Sequence, residues 1–327
     1  MKKLSVVVPV YNSAATLADL HRRLAAVLTP VTAGFEVLLV EDGSRDASWA
    51  TIRTLANRDE RVRGIRLGRN FGQHNALLCG IRAARHEIVV TLDDDLQNPP
   101  EEIPALLARL DEGYDVVYGA PEREQHGLWR DAASRITKLV LQQAMGAETA
   151  MRISAFRAFR THVRDGFADY RAPFVSIDVL LTWGTTRFAH VTVRHEPRAA
   201  GASNYTIGKL FRHAANMVTG FSTGPLQMAS VIGFLFTLFG MAVLAYVLVN
   251  YLVHGAAVPG FAFLASLIAI FSGAQLFALG IIGEYLARMH FRTMDRPSYV
   301  VAQRTDAEAA SCPSRPVERA GATAREA

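Results

Sequence analysis

Apolar and polar positions change in blocks along the first 120 residues. Residues 4–10 are β-branched and apolar and end at Pro9-Val10-Tyr11-Asn12, which predicts a buried strand. The opening MKKLSVVVPV has an apolar run too short for a signal peptide and reads as that strand. Apolar residues at 17, 20, 24, 27 and 28 give a helical spacing over Thr16 to Leu28. Phe35 to Val40 is a second strand, followed by a helix marked by Trp49, Ile52 and Leu55. Val62 to Leu67, Glu87 to Leu92 and Asp115 to Tyr118 read as further strands. Helices at Asn75 to Ala84 and Pro99 to Leu110 lie between them, the second opened by prolines and two glutamates. Strand and helix alternate at crossover spacing, so the expected fold is α/β: a mostly parallel sheet with flanking helices. The polar clusters at 11–13, 41–44 and 93–97 all fall at strand C-termini, where such sheets bind ligands.

The pattern then changes twice. Residues 122–172 are mixed and basic, with a helix expected around 129–145. Arg187 to His195 alternates as a strand, and a loop follows at 198–205. Residues 206–222 form an amphipathic helix, with Ile207, Leu210, Phe211, Ala214, Val218 and Phe221 on one face and Lys209, Arg212 and His213 off it. Beyond it, the 71 residues between Arg212 and Glu284 contain no Lys, Arg, Asp or Glu. Within them lie apolar spans of 28 residues (Leu226 to Val253) and 23 residues (Phe261 to Gly283). Each exceeds the ~20 residues that cross a bilayer. The intervening loop has no Lys or Arg, whereas both flanks do. The positive-inside rule puts both flanks, and the domain at 1–205, in the cytoplasm of a multi-pass inner-membrane protein. Residues 284–302 are expected to pack back on that domain, and 303–327 to form a disordered tail.

Composition sharpens this division. The net charge of +5 and mean hydropathy of +0.14 are averages over unlike parts. Residues 1–129 carry 15 Lys+Arg against 18 Asp+Glu, and residues 130–212 carry 13 against 6. A uniformly basic nucleic-acid binder is excluded, and so is a disordered chain. Two cysteines without a CxxC pair argue against a disulfide framework or a cysteine metal site. No GxxxxGK[ST] occurs, and no GxGxxG follows the first strand, which removes support for P-loop and dinucleotide-binding readings.

Asp93-Asp94-Asp95-Leu96-Gln97 carries the clearest chemistry. In an extended chain Asp93, Asp95 and Gln97 share a face and Asp94 turns away. Two carboxylates and an amide oxygen are hard ligands that suit Mg²⁺ or Mn²⁺ shared with substrate phosphates. Asp42, followed by Gly43, is placed to accept hydrogen bonds from a ribose or base.

PVYNS at 9–13, VEDGS at 40–44, RNFGQHNA at 69–76 and TLDDDLQNPPE at 91–101 together resemble family 2 glycosyltransferases of GT-A fold. RHEPRAAGASNYTIGKLF at 194–211, FSTGPLQMAS at 221–230 and GEYLARMHFRTMDRPSYVV at 283–301 narrow the resemblance to the polyprenyl-phosphate sugar transferases. It implies that Pro9, Tyr11, Asn12, Glu41 and Asp42 hold the nucleotide, and that Asp93, Asp95 and Gln97 hold the metal. It also implies that Arg123, Arg130, Ser134, Arg198, Ser203 and Tyr205 bind the acceptor and diphosphate. Asp95, Arg130, Arg198 and Asp178 would carry the chemistry, Asp178 as the acidic residue beside the acceptor. The chain departs from the family at Ser13, usually Glu, at Asn204, usually Lys, and at 153–156, where Ser-Gly-Phe is missing. The implied reaction is inverting transfer of a sugar from a nucleotide-diphosphate donor to undecaprenyl phosphate at the bilayer, and the resemblance is compatible with a homo-oligomer. One rival is a processive polysaccharide synthase, whose QxxRW motif Gln125 to Arg130 does not match. The other is a noncatalytic membrane scaffold.

Overall fold

β1 (Lys3–Val10) is the strand around which the sheet is built, and every residue from Leu4 onward in it is buried. Its alternation divides the core. Val7 faces the cluster beneath α3 (Gln73–Ala83), while Val6, Val8 and Val10 face that beneath α1 (Leu17–Val31). Burial on both faces explains why the strand reads as a continuous apolar run. The computed structural model describes residues 2–121, 152–196, 224–254 and 260–306.

β2 (Gly34–Glu41), β3 (Val62–Leu67) and β4 (Ile88–Thr91) complete a parallel block with β1. The helices α1, α2 (Ser48–Arg58) and α3 cross between these strands. α1 buries Leu17, Leu20, Leu24 and Leu28, the helical spacing seen in the sequence. A 3-10 turn, Pro100–Glu102, leads into α4 (Ile103–Asp111), then β5 (Val116–Pro121). After a second 3-10 segment (Thr161–Phe167) come α5 (Ile177–Gly184) and β7 (Phe188–Val193).

Among the described residues the sheet has eight strands in the order β7-β5-β6-β4-β1-β2-β3-β8, mostly parallel as expected and mixed through two reversed strands. β6 (Arg157–Arg160) runs antiparallel between β4 and β5. β8 (Val301–Arg304) runs antiparallel along β3. Both are four residues long, too short for an alternation to stand out. β6 also carries Arg157, fully buried, where a core strand predicts an apolar residue.

β8 corrects the expectation of a tail from residue 303. Residues 303 and 304 belong to the sheet, and the backbone N–H of Gly64 donates to Thr305 Oγ1 at 2.8 Å. Asp306 accepts from Arg63 Nε at 2.9 Å, and the same guanidinium reaches buried Glu36 at 2.8 Å. Burial pushes the Glu36 carboxyl up, but bonds from Ser5, Arg63 and the Arg85 backbone outweigh that and hold it below the usual range. A tail composition therefore hides a strand held by charged partners at the sheet edge.

Among the described residues α6 (Gly224–His254) and α7 (Phe261–Thr293) are the two long apolar helices. Candidate membrane spans fall at Leu226–Val253 and Ile270–His290, with mean hydropathies of 2.4 and 1.4. The second lies later than the expected 261–283. Its helix continues through Glu284 and Arg288, which pair at 2.7 Å across one turn. Phe236 and Phe271 meet edge to face across the two helices, with ring centroids 5.6 Å apart. Most large side chains on both helices face outward, as with Tyr246 at 71% and Leu276 at 69% exposure. Faces this apolar suit hydrocarbon, not water.

Candidate active site at the strand switch

The chain winds from β1 through β2 to β3 in one direction and then places β4 on the other side of β1. The crevice between the C-termini of β1 and β4 is therefore a topological switch point, where sheets of this kind bind ligands. Tyr11 and Asn12 stand on one side of it and Asp93 to Gln97 on the other.

The β1 and β2 loops are stitched together. The N–H of Asn12 donates to Ser44 Oγ at 3.0 Å, and Asn12 Oδ1 accepts from the Arg45 N–H at 2.8 Å. Asn12 sits at φ 55, a left-handed conformation that asparagine tolerates. The N–H of Ser13 donates to Ser48 Oγ, and that of Ala14 to Asp46 Oδ2, each at 3.0 Å. Pro9 is buried in the strand, whereas the Tyr11 ring is 42% exposed.

Glu41 and Asp42 have different surroundings from those expected. Glu41 is fully buried, accepts from the Ser44 N–H and pairs with Arg66 Nε at 3.1 Å. Asp42 is also buried. Its Oδ1 accepts from the Phe71 N–H at 2.7 Å and its Oδ2 from the Gly72 N–H at 2.8 Å. Burial pushes the Asp42 carboxyl up, and these two N–H groups oppose that. Asp42 thus fixes the loop that carries the RNFG residues. Gly43, at φ 70, completes the arrangement: a Cβ there would lie 2.5 Å from the Asn70 nitrogen.

The acidic triplet is a turn, not an extended strand end, so its side chains do not simply alternate. Leu96 at φ 61 reverses the backbone and buries its side chain. Each carboxylate goes to a different neighbour. Asp93 Oδ1 accepts from Gln73 Nε2 at 2.6 Å, at the start of α3. Asp94 Oδ2 accepts from the Tyr11 N–H at 3.1 Å, across the crevice. Asp95 Oδ1 accepts from the Gln97 N–H at 3.1 Å, within the turn. Burial also pushes the Asp94 carboxyl up, opposed by the bonds from Ser13 and Tyr11. Among the described residues no three His, Cys, Asp or Glu side chains gather as a ready metal site. A cation here would take one or two carboxylates and complete its shell from phosphates and water, as Mg²⁺ commonly does. The donor set of Asp93, Asp95 and Gln97 fits that description.

Two other elements meet the turn. Arg23 on α1 makes a bidentate pair with Glu101 at 3.0 and 2.7 Å, which ties down the 3-10 turn that follows. The Glu196 N–H donates to Gln97 O at 2.8 Å, so the chain entering residues 197–205 starts beside the acidic turn. Asp178, in the first turn of α5, accepts from the Tyr118 hydroxyl at 3.1 Å and from Arg157 Nη1 at 2.5 Å. Arg123, Arg130, Ser134, Arg198, Ser203 and Tyr205 lie outside the described residues, as does the helix expected at 206–222. Gln73, Ser48, Asp46, Tyr118 and Arg157 were not legible as site-building residues. Only Gln73 carried a signal, its place inside RNFGQHNA. Cys79 on α3 is buried, and burial pushes its thiol up to about 12, which leaves it unreactive.

The known proteins that this chain resembles agree with the geometry. The profile described as Glycosyl transferase family 2 matches residues 5–167. An undecaprenyl-phosphate 4-deoxy-4-formamido-L-arabinose transferase of Pseudomonas aeruginosa (strain LESB58) is 36% identical over 323 residues, 98% of this chain and 95% of that protein. The transferase of the same description from Yersinia enterocolitica is 34% identical over 94% of this chain and 95% of its own length. Among solved structures, glucosyl-3-phosphoglycerate synthase from Mycobacterium tuberculosis, in complex with Mn²⁺, UDP and phosphoglyceric acid, shares the fold. Its TM-score is 0.50 at 17% identity, over 67% of this chain and 76% of that one. The switch-point crevice, the acidic turn beside it and the near-full-length identity lead to one assignment: the chain is a glycosyltransferase and belongs to glycosyl transferase family 2, among its polyprenyl-phosphate sugar transferases.

Proposed function

We propose that the protein transfers a sugar, with inversion, from a nucleotide-diphosphate donor to undecaprenyl phosphate at the cytoplasmic face of the membrane. The observation that carries this reading is an acidic turn at the strand switch, in a chain that also has two membrane-length apolar helices. Asp93, Asp95 and Gln97 would hold Mg²⁺ or Mn²⁺, which when bound neutralises charge on the donor diphosphate. The chain's own residues do the rest. Tyr11, with Pro9 and Asn12, forms the surface for the base and ribose. Glu41 and Asp42 shape that surface from below through Ser44, Phe71 and Gly72. The acceptor phosphate has a second pKa near 6, so at pH 7 it is a nucleophile without a strong base. Positive charge is the larger need. Arg123, Arg130 and Arg198 would supply it, and Ser134, Ser203 and Tyr205 would join them in binding the two phosphate groups. The bond from Glu196 to Gln97 supports this for Arg198, two residues further along. Asp178, already paired with Arg157 and Tyr118, suits a fixed charge beside the acceptor better than a proton acceptor.

The relatives' sugar, 4-deoxy-4-formamido-L-arabinose, is the first donor to test. Full-length protein in detergent would be incubated with Mn²⁺, undecaprenyl phosphate and nucleotide-linked forms of that pentose, glucose, mannose and N-acetylhexosamine. The expected result is one glycolipid product, formed from the formamido-pentose donor. No product from any donor would overturn the reaction. A growing polymer would favour the processive synthase.

A further inference from the structure

The hydrogen bond from the Tyr11 N–H to Asp94 crosses the crevice between β1 and β4. It joins the two sides that the donor must bridge, the base surface at Tyr11 and the acidic turn at Asp93 to Gln97. Ser13 strengthens the link. Its hydroxyl lies 3.1 Å from Tyr11 O and also reaches the Asp94 carboxylate. Asp94 therefore grips the Tyr11 loop at the backbone and at a side chain two residues on. Asp93 and Asp95 have different duties, since Asp93 is held from α3 and Asp95 caps its own turn. The Tyr11 backbone is fixed while its ring stays exposed. An exposed aromatic on a rigid backbone is a low-cost platform for stacking a base.

We infer that Asp94 is a positioning residue for the nucleoside half of the donor, holding the Tyr11 platform at a set distance from the diphosphate-binding turn. The inference rests on the donor reading above and assigns the middle carboxylate of the triplet a part separate from the metal.

A binding measurement on the full-length protein in detergent separates the two halves of the donor. Calorimetry with Mn²⁺ would compare a panel of UDP, GDP and dTDP with inorganic pyrophosphate, which has no nucleoside. For Asp94→Ala the expected result is about tenfold weaker binding of the preferred nucleoside diphosphate, with pyrophosphate binding changed less than twofold. Asp95→Ala is expected to weaken both. Asp94→Asn keeps one acceptor oxygen for the Tyr11 N–H and is expected to recover nucleoside diphosphate binding to within threefold of wild type. It also serves if Asp94→Ala fails to fold. Equal weakening of both ligands in the Asp94 variants would overturn the inference, because a general loosening of the turn has that signature. Unchanged binding of both would overturn it as well. If wild-type protein binds none of the three nucleotides, the donor reading itself fails and takes this inference with it.

Discussion

Two acidic clusters stand at the C-terminal ends of the parallel strands that flank β1 and look alike in sequence: Glu41-Asp42 at the end of β2 and Asp93-Asp94-Asp95 after β4. Their structural settings differ. The first is buried, and its carboxylates are occupied by Arg66 and by the backbone N–H groups of Ser44, Phe71 and Gly72. The second is a partly exposed turn in which each carboxylate has a different anchor. Carboxylates that satisfy internal donors set the shape of a site. Carboxylates at a crevice can respond to what enters it. On the proposed reading, the pair would separate the shaping of the donor pocket from the binding of its charge.

Four measurements would break or sharpen that division. The largest effect is expected at Asp95, where Ala should lower turnover about a thousandfold and leave the melting temperature near wild type. A melting temperature that fell in step with activity would place Asp95 with the shaping residues. Gly43→Ala should do the opposite. Its Cβ would clash with the Asn70 backbone at a left-handed φ, at a cost of about 3 kcal/mol, read by thermal unfolding. Adding Mn²⁺ with the preferred nucleoside diphosphate, each well above its dissociation constant, should stabilise wild type by roughly 2.7 kcal/mol at a hundredfold excess. Asp42→Ala should retain that shift and Asp95→Ala should lose it; the reverse pattern would exchange the two roles. The smallest change is expected in the unliganded stability of Asp42→Ala. Two buried N–H groups would lose their acceptor, costing about 2 kcal/mol.

Much of this was legible in the sequence. The parallel block followed from apolar runs and helical spacings, because burial on both faces leaves a dense signal in β1 and β2. The place of the candidate site followed from polar clusters at strand ends. The use each carboxylate is put to was not legible. Asp42 was read as an acceptor for a ribose or base, and nothing in the sequence showed that it also accepts from the loop at 71–72, a contact 29 residues away. The extended spacing proposed for Asp93 to Gln97 overlooked the left-handed Leu96, a conformation unusual for a branched apolar residue. β6 and β8 were missed because each is a short antiparallel strand stabilised by charged partners, Asp178 for Arg157 and Asp306 for Arg63.

The position of β8 has a mechanical consequence. Among the described residues β7 and β8 are the two outermost strands of the sheet, and the long apolar helices α6 and α7 lie between them in the chain. Seven strand spacings separate those edges, roughly 33 Å at ~4.8 Å each. The segment that holds α6 and α7 therefore leaves the sheet from one edge strand and returns to it at the other. A chain cut before α6 would lose β8 along with both long helices, and would leave β3 as an unpaired edge open to association with other sheets.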